Sequence, residues 1–286
     1  LDDEAMNARL MELAEHTKYL PHSIAKAKGF AFILDNMRID VNEHDYFVSL
    51  YNWGRLLEPP FISRWHEEVF ASMPQINDKI SDLLEAGIAD IWLDTDHSVP
   101  NWEDIMNLGF LGLRDRATAY YQKHKQAGTL TEKQEAFFEA IIMEYDAIIR
   151  LLGRLYILAK KVQHSKANKI AEALKSLQAK APTNTFEALQ LMYIYFMCSE
   201  SVDNFQVRSL GNGLDTTLYP FYKRDLEQGI CTREEIKEYL AYFFMQFSAM
   251  GNYWCQPFYL CGTDENGENL PNDLTYDILE VYESLD

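Results

Sequence analysis

Apolar positions recur at helical spacing over most of the chain. Leu10, Leu13 and Ala14 share one face of an opening helix. Phe30, Ile33, Leu34 and Met37 stand at i, i+3, i+4 and i+7, which predicts a second helix over 25–37. The period then changes. Ile39, Val41, Phe47 and Val48 flank the polar turn Asn42-Glu43-His44-Asp45, a strand–turn–strand signal. Glu58-Pro59-Pro60 is a break, after which helices are predicted over 62–72 and 76–85. The polar loop 94–100 leads into a helix running from 102 to about 126, with Asn101 or Pro100 near its start. Thr131 and Gln134 have capping-box spacing, and the long helix they open carries the stripe Phe138, Ile141, Ile142, Tyr145, Ile149 and Leu152. Another helix is predicted over 165–178.

The last third of the chain departs from simple amphipathicity. Residues 185–201 read as a helix that is apolar nearly all round, with Phe186, Leu189, Leu191, Met192, Ile194, Phe196 and Met197. Such a helix is buried on most sides. Residues 203–213 mix β-branched, polar and Gly positions, which predicts a short strand leading into a loop. A short helix follows over 218–227, closed by Gly229. Thr232 and Glu235 form a second capping-box pair opening a helix to about 250. Residues 254–262 read as a buried strand, Asp264-Glu265-Asn266-Gly267 as a turn, and Asp273 or Thr275 as the start of a last helix. Without repeats, low-complexity tracts or a Gly/Ser/Pro-rich linker, one domain over 1–286 is expected.

Composition narrows this picture. Apolar residues make up 48% of the 286 and aromatics 13%, enough for a sizeable core and too much for intrinsic disorder. Only 13 Gly and 9 Pro disfavour an all-β fold with many tight turns. Lys and Arg total 26 against 44 Asp and Glu, a net charge of −18. That balance argues against a nucleic-acid surface and against a polybasic membrane patch. Its plain meaning is solubility. No run of roughly 18 apolar residues marks a membrane span. Leu1 in place of a starting Met, and a stop at Asp286 within a helical pattern, are expected of a piece of a longer chain.

Candidate chemistry is sparse. Cys198, Cys231, Cys255 and Cys261 match no zinc spacing and read as reduced thiols. Cys198 is expected to be a packed thiol in its apolar helix, and Cys255 and Cys261 to share one face of the strand over 254–262. Asp94, Asp96 and His97 are close enough to ligate a divalent ion but lack a full ligand set, so an ordinary loop is expected. Nucleotide-binding and serine-hydrolase motifs are absent. The best pocket candidate is residues 204–213, which place amides, Arg208, Ser209 and two Gly beside a buried helix, where backbone can approach a ligand; on composition alone a plain connecting loop is the stronger reading.

Several stretches carry a family resemblance. Pro182-Thr183-Asn184-Thr185-Phe186-Glu187-Ala188-Leu189-Gln190, then Ser209-Leu210-Gly211, then Leu218-Tyr219-Pro220-Phe221-Tyr222-Lys223-Arg224-Asp225-Leu226-Glu227-Gln228-Gly229 resemble the pyruvate formate-lyase domain of glycyl radical enzymes. So do the helix start at Thr232, Cys261-Gly262-Thr263-Asp264-Glu265-Asn266-Gly267, and Asn272-Asp273-Leu274-Thr275. Residues 39–48 and 97–102 are similar more loosely.

The resemblance implies an α/β, predominantly helical fold, the N-terminal part of a ten-stranded α/β barrel with few strands in this segment. It implies a radical lyase or dehydratase of anaerobic metabolism, expected to be cytoplasmic. The catalytic Cys follows a Gly in such enzymes, whereas the four cysteines here follow Met197, Ile230, Trp254 and Leu260. The thiyl and glycyl radical loops are therefore expected beyond this segment, and no catalytic residue, metal or cofactor is assigned within it. A small-molecule substrate, an S-adenosylmethionine-dependent activase that installs the radical, and a homodimer are the partners implied.

What carries over is part of a substrate pocket. His97 matches a substrate-binding His of diol dehydratases, where pyruvate formate-lyase has a carboxylate-binding Arg; this favours a hydroxylated substrate. Gln206 and Val207 match pocket positions, Arg208 and Ser209 continue that segment, and Trp254 and Tyr259 lie near an aromatic pocket strand. Phe205 replaces a family Gly and Asn212 a family Arg. Cleavage of a 2-keto acid, as in a formate acetyltransferase, is the competing chemistry and would need a cation such as Arg208. A degenerate, non-catalytic binding module is the reading from another class.

Overall fold

The structure is a computed structural model, and the residues it describes are 1–50, 61, 67, 71–72, 74–89, 99–200, 209–249 and 258–285. The predicted helix over 62–72, the loop 94–98 and the segments 203–208 and 254–257 lie wholly or largely outside the described residues.

Helix α1 (Asp3–Thr17) starts where the Asp2 side chain accepts the Ala5 N–H at 2.9 Å. Helix α2 (His22–Asn36) follows Pro21. Strands β1 (Ile39–Val41) and β2 (Val48–Leu50) pair antiparallel with Asp40 opposite Ser49, as the alternating pattern predicts. Helix α3 (Pro74–Glu85) comes next, then α4 (Trp102–Gln126) and α5 (Glu132–Ala159). At the head of α5, Thr131 and Gln134 form the reciprocal capping box expected. Helices α6 (Ala167–Ala179) and α7 (Thr185–Glu200) complete the first layer of helices. The last part holds β3 (Gly211–Asn212), α8 (Leu214–Glu227), α9 (Arg233–Ala249), β4 (Phe258–Tyr259) and α10 (Asp273–Ser284). The chain is thus mostly helical with few strands. None of the described helices is long and apolar enough to cross a membrane.

Packing follows from the apolar stripes. Helix α5 lies against α2 and is fastened there by Arg150, which makes a two-pronged ion pair with Asp35 at 2.9 and 2.8 Å. Arg154 donates to the carbonyls of Leu34 and Met37 at the end of α2, where a helix leaves carbonyls without intrahelical partners. Helix α7 is buried on all sides: Leu189, Leu191, Met192, Ile194 and Phe196 have no exposed surface. Phe47 next to β2 joins this core, with its ring 5.2 Å from that of Tyr193 on α7 and 5.7 Å from Phe243 on α9.

Three elements differ from the sequence-based expectation. Helix α4 has the predicted ends but is broken at Gly109, which takes φ 62° and ψ 179°. A Cβ there would lie 2.9 Å from the Cα of Ala181, so the backbone ahead of α7 passes where a side chain would stand. Helix α8 starts at Leu214 rather than 218, because left-handed Gly213 turns the chain from β3 directly into the helix. The buried strand expected over 254–262 is, among the described residues, only Phe258–Tyr259, and Tyr259 is 63% exposed. Cys261 lies past that strand in a left-handed conformation (φ 66°), so it does not continue a strand face shared with Cys255, which is itself outside the described residues. Cys198 is packed as expected, and burial pushes its thiol pKa up.

Candidate functional site

Trp102 is the first residue of α4. The preceding Asn101 side chain accepts the Asp104 N–H at 3.2 Å and so fixes where the helix starts. The Trp102 ring is buried against Tyr195 and Phe196 of α7, at 5.3 and 5.9 Å between centroids. Its indole N–H donates to the Ser209 carbonyl at 3.1 Å. Its Cδ1 would be 3.0 Å from a Cβ at position 211, which is therefore a position for Gly on grounds of close approach. Gly211 also has φ 97°, which L side chains rarely adopt.

Ser209 turns inward. Its hydroxyl accepts the Gly211 N–H at 2.9 Å, closing a small turn that feeds β3. β3 pairs with β4 in parallel, Gly211 opposite Phe258 and Asn212 opposite Tyr259. The Gly213 N–H extends the pairing to the Tyr259 carbonyl at 3.1 Å. A buried carboxylate secures this junction from behind. Asp215, in the first turn of α8, has no exposed surface. It accepts the Cys261 N–H at 3.0 Å and the hydroxyl of Thr275 on α10.

Of the residues singled out in the sequence, His97, Gln206, Val207, Arg208 and Trp254 lie outside the described residues. Ser209 and Tyr259 are described. Ser209 serves the turn and anchors Trp102, and Tyr259 sits on β4. Trp102, Ser209 and Gly211 meet directly, and β4 joins them through Phe258 opposite Gly211. Sequence reasoning missed Trp102 and Asp215 as its fasteners. The signal for Trp102 was a large aromatic at a helix start after a polar loop; Asp215 offered only an acidic first-turn residue after Gly213. No group of three His, Cys, Asp or Glu side chains that could hold a metal ion occurs among the described residues.

A second buried carboxylate ties α8, α9 and α10. Asp277 accepts from the Tyr222 hydroxyl at 2.7 Å and from the Arg233 guanidinium at 2.7–2.9 Å, with Lys237 at 3.5 Å. Burial works to raise its pKa, but the hydrogen bonds from Arg233 and Tyr222 outweigh it and hold the carboxyl below the ordinary Asp value. A depressed folded pKa adds stability above the unfolded value, about 3.9, that is lost as pH falls through the folded pKa. Urea titrations at a series of pH values below about 4 should show stability falling with acid, and Asp277→Asn should flatten that slope.

A family model described as pyruvate formate lyase-like matches residues 74–286. The isethionate sulfite-lyase of Bilophila wadsworthia is 26% identical over 202 residues, covering 62% of this chain and 24% of that protein. The 4-hydroxyphenylacetate decarboxylase glycyl radical subunit of Clostridioides difficile is 32% identical over 81 residues, covering 28% of this chain and 9% of that subunit. The crystal structure of a glycyl radical enzyme from Archaeoglobus fulgidus superimposes with a TM-score of 0.77 at 22% identity, covering 98% of this chain and 44% of that one. Hydroxyproline dehydratase from C. difficile, with trans-4-hydroxy-L-proline bound, gives 0.74 at 18% identity, covering 97% and 43%. The chain thus spans less than half the length of the solved structures it resembles.

Proposed function

The chain belongs to the pyruvate formate lyase-like family, and from that premise we propose that it is the N-terminal part of a glycyl radical lyase or dehydratase acting on a small hydroxylated substrate. The observation that carries this reading is the junction of Trp102, Ser209, Gly211 and Phe258. It gathers the flanks of the three segments that the resemblance marks as pocket wall. In the proposal His97 and Gln206 hydrogen-bond the substrate's hydroxyl groups, Val207 and Trp254 supply apolar walls, and Arg208, Ser209 and Tyr259 continue the same wall. β3 and β4 are the first strands of a ten-stranded barrel that forms one domain with residues outside this chain.

The glycyl radical, placed by this proposal outside these residues, supplies hydrogen-atom abstraction once installed by an S-adenosylmethionine-dependent activase. What these residues supply is orientation and exclusion of water. Fixed hydroxyl contacts favour one reactive geometry, and a dry pocket protects a radical intermediate from side reactions. A homodimer is the expected assembly.

The test is turnover by the intact gene product, activated without oxygen and offered glycerol, trans-4-hydroxy-L-proline, isethionate and pyruvate. Turnover of a hydroxylated compound, with pyruvate untouched, is expected. Pyruvate cleavage would overturn the substrate class in favour of a 2-keto acid held by Arg208. No radical after activation, together with no turnover of any of the four, would favour the binding module.

A further inference from the structure

A cleft of about 510 Å³ opens between the start of α4 and the length of α8. That volume falls within the range of small-molecule sites. Trp102, Met106 and Phe221 give it apolar walls, Glu103 and Asn107 line it from α4, and Arg224 lines it from the last turn of α8. Arg224 is half-buried and its guanidinium lies 5.4 Å from the Phe221 ring centroid. Among the described residues no carboxylate is within ion-pair distance of it. Of the neighbouring charges, Lys223 pairs with Glu227 at 3.8 Å, and Asp225 is buried with one carboxylate oxygen accepting the Thr185 N–H at 2.7 Å.

An arginine held over an aromatic ring, half out of water and without a counter-ion among the described residues, is well placed to bind an oxyanion. Its planar fork matches a carboxylate, and the ring holds the fork in one orientation. The walls beside it are mixed: Trp102, Met106 and Phe221 are apolar, and Asn107, Thr216 and Thr217 are polar. Arg224 stands about 15 Å along α8 from that helix's amino end, so the anion is held by the guanidinium and not by the helix field. Glu103 is the opposing element: an acidic group on the rim that weakens the pull on any anion.

We propose that this cleft binds a small organic carboxylate with a flat apolar body, its carboxylate on Arg224 and its body against Trp102, Met106 and Phe221. The proposal goes beyond the radical reading and does not depend on it, because binding here needs neither activase nor radical. Benzoate is the probe, and its neutral analogue benzamide the control, with binding followed by ligand-observed NMR and calorimetry on the protein in air. Saturable binding of benzoate and none of benzamide is expected. Arg224→Gln should weaken benzoate roughly tenfold or more, as loss of a charge-assisted contact does. Arg224→Lys, which keeps the charge, should fall between. Glu103→Gln, which removes a like charge, should tighten binding by about threefold. Glu103 is exposed, so this last variant tests the site even where Arg224→Gln disturbs folding. No benzoate binding by the unaltered protein, equal binding of benzamide, or benzoate affinity unchanged in both Arg224→Lys and Glu103→Gln would each overturn the assignment. Because none of these readouts involves turnover, they can fail while the radical enzyme reading stands, and the reverse.

Discussion

Replacing Trp102 with Ala should destabilise the protein by about 3–5 kcal/mol, the cost of emptying a large buried aromatic site. The ring is 5% exposed and packs on Tyr195 and Phe196, so its removal leaves a cavity beside α7. It also strips the Ser209 carbonyl of its indole donor and removes the atoms that lie against Gly211. Trp102→Phe separates these effects. It keeps most of the volume but loses the indole N–H and part of the ring system, so a smaller cost of about 1–2 kcal/mol is expected. Urea unfolding measures both. The functional consequence belongs to the proposal: with the loop before α4 released from Ser209, substrate affinity should fall more than the loss of folded protein explains.

The second large effect is expected at Asp215. Asp215→Ala leaves the Cys261 N–H and the Thr275 hydroxyl without their acceptor in a buried place. Each orphaned donor costs about 1–3 kcal/mol, so a loss of roughly 3 kcal/mol or more is expected. Thr275→Val removes one donor and leaves the other, and should cost less. Because the two side chains share one contact, the double variant should be less destabilised than the sum of the two, a coupling that a double-mutant cycle reads directly. Additive losses would mean that the carboxylate and the hydroxyl do not act together.

Both fasteners show where the sequence was legible and where it was not. Helices with local signals could be read. Thr131 with Gln134 and Thr232 with Glu235 cap the helices they were expected to cap, and the apolar repeat over 30–37 marks α2. The β1–β2 pair is equally local, joined by one short turn. β3 and β4 fall within the two stretches where strands were expected, 203–213 and 254–262, but their parallel pairing with each other across α8 and α9 has no local signal. The break at Gly109 is set by the approach of Ala181, which no neighbouring residue encodes. The exposed Tyr259 misled for a related reason: an apolar run of strand-like composition gives no hint that, among its described residues, only Phe258 and Tyr259 pair. The family was legible through the motifs over 182–275, whereas Trp102 and Asp215 gain their meaning only from contacts with Ser209, Cys261 and Thr275.

In the proposed function these residues bind the substrate and do not carry the radical. Paramagnetic resonance of the intact gene product after anaerobic activation, run beside a turnover assay on the same samples, tests it most directly. The expected result is an oxygen-sensitive organic radical of equal intensity in the unaltered protein and in His97→Ala, with turnover lost only in the variant. No radical in the activated protein, or undiminished turnover in His97→Ala, would contradict it.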